Sequence, residues 1–167
     1  MPSMDRSRLL ICLSAALLGG CGSTDQDTAA APPTLSEYRQ QRLLVCQQFS
    51  PEQQRLQAQA VALEKRGLRA RDKRLLDRAA DLYEQANRQF GRRLAALDEL
   101  PTPSGKRWAV ETVTRVERWG LRLGWKMVPL VRAGNHAAAY RLYERYSSPN
   151  PGWARARSAL GLETDDC

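Results

Sequence analysis

The sequence predicts an all-α protein, an antiparallel bundle of four main helices with shorter helices added to it. Two patterns predict this class. Apolar residues recur every three or four positions over most of the chain after residue 34, which places them on one face of a helix. The alternation that is typical of strands never extends beyond a few residues. We therefore assign residues 34–167 to a single helical domain.

The first predicted helix begins with a capping box. Thr34 is the expected N-cap, and Glu37 has the spacing to reach back to it. The helix is expected to run to about Phe49. One face then carries its apolar residues, which are Leu35, Tyr38, Val45, Cys46 and Phe49. Cys46 is therefore expected to point inward.

A second helix is predicted to start directly afterwards. Ser50 and Gln53 have the spacing of another capping box, and Pro51 would occupy the first helical position. This helix is expected to stop near Gly67, since glycine often follows the last turn of a helix.

The third predicted helix is the longest clear one, from about Arg71 to Glu99. Its apolar stripe steps by three or four through Leu75, Ala79, Leu82, Ala86, Phe90, Leu94 and Leu97. Pro101 and Pro103 follow it and are expected to end it.

The fourth predicted helix runs from about Ser104 to Ala133 and carries a heptad seam. The seam residues alternate steps of four and three: Ala109, Val113, Val116, Gly120, Leu123, Met127 and Leu130. Pro129 is expected to kink this helix or to end it early.

Two short helices are predicted to complete the domain. Gly134 is the expected C-cap of the fourth helix and Asn135 the N-cap of the fifth, which runs to about Ser147. The last helix follows a turn at residues 150–152 and is expected to end at Gly161.

An apolar strip lies away from the seam of the fourth helix. It consists of Leu121, Trp125 and Val128, and Arg118 and Arg122 lie beside it. One interpretation is an interaction surface, a hydrophobic anchor ringed by arginines that suits a partner protein or a layer of lipid head groups. The other is that a later helix covers the strip, so that Trp125 belongs to the core.

The amino terminus has the pattern of an export signal. Arg6 and Arg8 precede the apolar run Leu9–Leu18. As a helix, this run would measure roughly 15 Å, whereas a bilayer core is about 30 Å thick. Its length therefore disfavours an uncleaved membrane anchor.

The apolar run ends in Leu18, Gly19, Gly20 and Cys21. This ending resembles the lipobox of bacterial lipoproteins. The resemblance implies that a lipid is attached to Cys21, that residues 1–20 are removed as a signal peptide, and that the new amino terminus is acylated. The alternative is a signal peptide cut at a small-residue site, with Cys21 as an incidental thiol.

Residues 21–33 are predicted to be the lipidated cysteine and a flexible tether, because they are small, polar and rich in proline at the end. Gly22 is not the aspartate that retains many lipoproteins in the inner membrane of Gram-negative bacteria. The resemblance therefore implies a cell-envelope location: the outer membrane, facing the periplasm, in a Gram-negative host, and otherwise the outer face of the cell membrane.

The cysteine count predicts a disulfide. If Cys12 leaves with the signal peptide and Cys21 carries lipid, Cys46 and Cys167 remain. An even pair in an exported chain is a candidate bridge. The alternative is one buried thiol at Cys46 and one loose terminal thiol at Cys167.

The chain is basic, with a formal charge of +8. Removing residues 1–20 takes away two of 26 basic and one of 18 acidic side chains, which leaves an excess of 7 positive charges. This charge favours anionic neighbours such as lipid head groups and cell-wall polymers. Nucleic acid is not an expected partner of an exported protein, and the plainer interpretation is a solvated arginine surface.

A reactive cluster is not evident in the sequence. The sole histidine, His136, has no carboxylates or thiols spaced around it as a metal site requires, and no nucleophile lies beside it. Phosphate-binding loops and nucleophile elbows are absent from the sequence. We therefore expect no cofactor, no metal and no catalytic residue.

These observations favour a membrane-anchored lipoprotein with a non-catalytic helical domain that acts in protein–protein interaction or envelope assembly. Its partners would be the membrane, through Cys21, and an envelope protein that the sequence does not identify. The alternative is a binding module for anionic envelope polymers or lipid head groups. A third hypothesis is an enzyme whose carboxylates meet only in the fold.

Overall fold

The computed structural model describes residues 31–147 and 150–162. Five α-helices account for most of these residues, and none of them forms a strand, so the predicted all-α class is confirmed. The helices are α1 (Leu35–Ala70), α2 (Lys73–Asp98), α3 (Arg107–Arg132), α4 (His136–Ser147) and α5 (Pro151–Ala159). The predicted signal peptide, Cys21 and Cys167 lie outside the described residues.

The first two predicted helices are one helix, and the predicted break at Ser50 is wrong. α1 is a single helix of 36 residues that continues through Pro51. Proline inside a helix removes one backbone hydrogen bond at a cost of about 3 kcal/mol. Gln47, whose carbonyl loses its usual donor, is exposed. A continuous buried stripe runs along both sides of the proline and offsets this cost; it includes Tyr38, Cys46, Leu56 and Ala60.

Gly67 is a close-packing residue and not the predicted end of a helix. α1 runs on to Ala70 and ends at Arg71, whose φ of 50° lies in the left-handed region. A Cβ atom added to Gly67 would lie 2.9 Å from Cδ2 of Leu76 on α2. The glycine therefore allows α1 and α2 to approach each other closely where they meet.

The predicted N-caps Thr34 and Asn135 are confirmed, whereas the C-cap of α3 is Ala133 and Gly134 directly follows it. The Thr34 hydroxyl accepts a hydrogen bond from the Glu37 amide at 3.3 Å, and a Glu37 carboxylate oxygen accepts one from the Thr34 amide at 2.7 Å. Gly134 adopts φ +69° after α3, and the Asn135 side chain accepts from the Ala138 amide at 3.2 Å at the start of α4. Pro129 does not end α3 early, since the helix runs to Arg132.

The helices pack in chain order. α1 packs against α2, α2 against α3, and α3 against both α4 and α5. Clusters of buried apolar side chains fill the helix contacts. None of the described helices combines the length and apolar character that crossing a membrane requires.

The predicted heptad seam of α3 is buried at Ala109, Val113 and Leu123, and neighbouring residues are buried in place of three of its other members. Its buried residues are Ala109, Val113, Glu117, Leu123, Val128 and Val131. Val128 and Val131 replace the predicted Met127 and Leu130, because a straight helix drifts by about 20° per heptad. Glu117, a charged residue, occupies a core position that the seam assigned to its neighbour Val116.

Candidate functional site

One cleft of the described residues is lined by four helices. It has a volume of about 250 Å³. We call it the α1/α4 cleft, because residues of both α1 and α4 line it. The lining residues are Gln57 and Val61 of α1, Tyr83, Asn87 and Phe90 of α2, Gly120, Leu123, Gly124 and Met127 of α3, and Leu142, Tyr143 and Tyr146 of α4.

Two glycines of α3 bring side chains against the helix backbone. A Cβ atom on Gly124 would lie 2.6 Å from Oδ1 of Asn87, and one on Gly120 would overlap the ring of Tyr146. The Asn87 amide from α2 and the Tyr146 ring from α4 therefore both pack directly on α3. Glycine at these two positions lets α2 and α4 approach α3 at the cleft.

Asn87 carries an unsatisfied polar atom. The residue is only 7% exposed, and its amide nitrogen has no hydrogen-bond partner among the described residues. A buried donor without an acceptor costs about 1–3 kcal/mol. Since Asn87 lines the cleft, a group that enters the cleft can supply the acceptor.

A row of aromatic rings follows the surface of α4. The rings of His136 and Tyr140 lie 6.2 Å apart, and those of Tyr140 and Tyr143 lie 6.4 Å apart. The ring of Tyr146 lies 6.0 Å from that of Trp119 on α3. Tyr140 and Tyr143 are both about half exposed. We call these residues of α4 the aromatic row.

A hydrogen-bonded group joins three helices near one end of the cleft. Glu64 of α1 is buried, and its carboxylate contacts Nδ1 of His136 at 2.8 Å and accepts a hydrogen bond from the Tyr83 hydroxyl at 2.9 Å. His136 is thus a half-exposed residue that holds α4 to α1. Burial, with the Glu64 carboxylate beside it, raises the pKa of Tyr83 well above its usual range.

Tyr83 predicts a loss of stability at alkaline pH. Its hydroxyl stays protonated in the folded protein at a pH where the unfolded chain ionises, near pH 10. The folded state then holds the extra proton, so its stability falls as the pH rises through 10 by about 1.4 kcal/mol per pH unit. Urea unfolding between pH 9 and about pH 11 should show a shallower fall for Tyr83→Phe; equal slopes would contradict this assignment.

A buried ion pair joins α1 to α3. The Arg42 guanidinium donates to the Glu117 carboxylate, and the two side chains are 2% and 5% exposed. Arg93 of α2 and Arg157 of α5 add their positive charge around the same carboxylate. Burial raises the pKa of Glu117. The positive charges of the three arginines oppose this rise, and that of Arg42 opposes it most strongly.

Sequence reasoning missed this pair, although a signal for it exists. Glu117 lies four residues after Val113 and three before Gly120, so it fits the same seam as its apolar neighbours. A carboxylate in such a position predicts a buried cation on a facing helix, because an unpaired buried charge is very costly.

The predicted strip on α3 does not form one apolar surface. Val128 is only 4% exposed and packs with Val131 and with Ala139 of α4, while Leu121 packs partly buried against a cluster that includes Phe90. Trp125 is 40% exposed, so its assignment to the core is also wrong. Trp125 and Val128 differ by about 60° around the helix, which separates the outer face from the buried one.

The two arginines beside this strip remain on the surface. Arg118 donates to the Asp98 carboxylate of α2 at 2.6 Å, and Arg122 is exposed. An exposed ion pair of this kind contributes roughly 0–1 kcal/mol. Trp125 is therefore a single exposed ring among arginines and does not form part of a hydrophobic patch.

Cys46 is buried and disulfide-bonded. The described residues include no other cysteine, so the predicted partner Cys167 stays a prediction. The same holds for lipid attachment at Cys21.

Groups of three or more histidine, cysteine or acidic side chains that could hold a metal ion are absent from residues 31–147 and 150–162. No protein-family model, curated protein or solved structure matches the chain.

Proposed function

We propose that this protein is a bacterial lipoprotein, anchored through a lipid on Cys21, whose antiparallel helical bundle is a non-catalytic binding module of the cell envelope. It binds a protein partner or takes part in envelope assembly, in the outer membrane facing the periplasm if the host is Gram-negative. The ending Leu18, Gly19, Gly20, Cys21 supports the anchor. Two or more acyl chains make such an attachment stable.

The aromatic row of α4 is the observation that carries the binding role. Tyrosine and arginine are enriched at protein interfaces, and α4 presents Tyr140 and Tyr143 beside Arg141 and Arg145, all of them exposed. The tyrosine rings already contact one another, so little side-chain freedom is lost when a partner covers them.

Charge indicates the kind of partner. The helix α4 carries two arginines and one glutamate, and the whole chain is strongly basic. A partner with acidic side chains around an apolar contact is complementary to this surface.

The charged groups support a non-catalytic role. Glu117 is the buried carboxylate whose pKa is raised by burial, but it is ion-paired with Arg42 inside the domain. A catalytic acid or base must reach its substrate, and Glu117 is 4% exposed. The environment of this carboxylate is that of a structural ion pair.

Site-directed photo-crosslinking tests the proposal. A photoreactive phenylalanine replaces Tyr143 in the full chain, expressed in its host, and a matched control carries it at Arg66, an exposed position of α1. We expect one protein species to be captured from position 143 in the membrane fraction and not from position 66. The substitution Cys21→Ser should move the protein itself to the soluble fraction.

The opposite results would overturn the proposal. Equal capture from both positions would remove the binding role of α4, and membrane retention of Cys21→Ser would remove the lipid anchor. If the protein crosslinked from position 143 is still captured in high salt, the contact is made through the tyrosine rings rather than through exposed charges.

The second candidate function is binding of anionic envelope polymers or lipid head groups, which the formal charge of +8 favours. In that case the Cys21→Ser protein should still bind to the cell envelope at low salt. This binding should be lost as the salt concentration rises, because screening weakens contacts between exposed charges.

A further inference from the structure

We propose that the α1/α4 cleft binds a single acyl chain, and that a carbonyl or carboxylate oxygen of this ligand accepts a hydrogen bond from the amide nitrogen of Asn87. Tyr143 and Tyr146 of the aromatic row also line this cleft, so the ligand site adjoins the surface proposed for the protein partner. The proposal does not depend on that partner, because its readout is the labelling of the cleft peptides by a lipid.

The lining chemistry favours an aliphatic ligand. Five apolar side chains from four helices line the cleft: Val61, Phe90, Leu123, Met127 and Leu142. Small-molecule sites combine such a lining with a few placed polar groups. Methionine adds adaptability, since its unbranched side chain fills irregular gaps beside a flexible ligand.

The cleft is lined by five polar side chains, Gln57, Tyr83, Asn87, Tyr143 and Tyr146, and an acyl chain needs fewer such partners than a peptide does. A peptide brings one donor and one acceptor with nearly every residue, and each needs a partner when it is buried. The Tyr83 hydroxyl, which lines the cleft, already donates to Glu64. The carbonyl end of an acyl chain needs only a hydrogen-bond donor, and Asn87 offers a buried donor that lacks an acceptor among the described residues.

The size of the cleft suits part of a hydrocarbon chain. A cavity of about 150 Å³ lined by leucine, isoleucine and phenylalanine stays dry and takes up benzene. The α1/α4 cleft, at about 250 Å³, is larger, and five apolar side chains line it together with five polar ones. When methylene groups fill the cleft, apolar surface of both the cleft and the acyl chain is removed from water.

Photolabelling with mass mapping tests the proposal. The full-length lipidated protein is reconstituted in phosphatidylcholine nanodiscs. One arm adds a free saturated fatty acid that carries a diazirine, and a second arm uses a phospholipid with the same photoreactive chain. We expect saturable labelling of α3 and α4 peptides that contain Gly120–Met127 and Leu142, in one arm or in both. The arm that labels identifies the source of the acyl chain.

Variants that fill the cleft make the test specific. Leu142→Trp should reduce labelling of these peptides at least about tenfold, because roughly 1.4 kcal/mol of lost contact suffices for that factor. Asn87→Leu keeps the size of the side chain, removes the donor and should weaken labelling by the free acid. The matched control is Leu44→Trp, an exposed position of α1 outside the cleft.

Val61→Trp provides a second filling variant if Leu142→Trp melts early, because Val61 lies at the exposed rim. Labelling that does not saturate, or that neither tryptophan variant reduces, would overturn the proposal. So would the absence of label from the cleft peptides in both arms.

Discussion

Replacing Arg42 with methionine is expected to lower the free energy of unfolding by about 3–5 kcal/mol. The substitution leaves the Glu117 carboxylate buried without its guanidinium partner. Methionine fills much of the same volume, so the loss reports the unpaired charge and not a cavity. Urea unfolding followed by circular dichroism at neutral pH measures it.

Two further variants separate this effect from a general sensitivity of the domain. Arg69→Met, at an exposed position of the same helix, should change stability by no more than about 0.5 kcal/mol. The double variant Arg42→Met, Glu117→Leu should recover part of the loss, because it removes the unpaired carboxylate, although Arg93 and Arg157 then lose its opposite charge. A loss below about 1 kcal/mol for Arg42→Met would contradict the assignment.

The local signals of the sequence predicted the helix ends well. The capping box at Thr34 and the turn at Gly134 and Asn135 both depend on residues close in sequence, and both are present. The same rules failed at Pro51, because packing of a long stripe against α2 outweighs one lost hydrogen bond. Local patterns describe what a segment prefers alone, and tertiary contacts decided this case.

The candidate site was much harder to predict. The α1/α4 cleft depends on how four helices pack, and Asn87 has no pattern of its own in the sequence. The spacing of Gly120 and Gly124 indicated close helix packing, but it did not indicate a cleft. The sequence pointed to Trp125 as a candidate contact residue, because it is an aromatic residue among arginines. The exposed rings that contact each other nevertheless belong to α4. Periodicity placed apolar residues on helix faces, but it did not show which faces other helices leave open.

The second large effect is expected at the cysteines. If Cys46 pairs with Cys167, the bridge closes a loop of about 120 residues, for which the loop-entropy model gives roughly 4–5 kcal/mol. Cys167→Ser should then lower the free energy of unfolding by about this amount, Cys46→Ser should lower it somewhat more, and the double variant should lose little more than Cys46→Ser. The measurement is urea unfolding of the oxidised proteins.

Reduction provides the control for the buried position. Serine at residue 46 also buries a hydroxyl, which adds a cost that has no connection with the bridge. Dithiothreitol should therefore destabilise the wild-type protein by about as much as Cys167→Ser does, and should leave Cys167→Ser almost unchanged. A Cys167→Ser protein that is as stable as wild type would assign the partner of Cys46 to another cysteine. It would also remove the tie that holds the carboxyl terminus to α1, because Cys46 lies inside that helix.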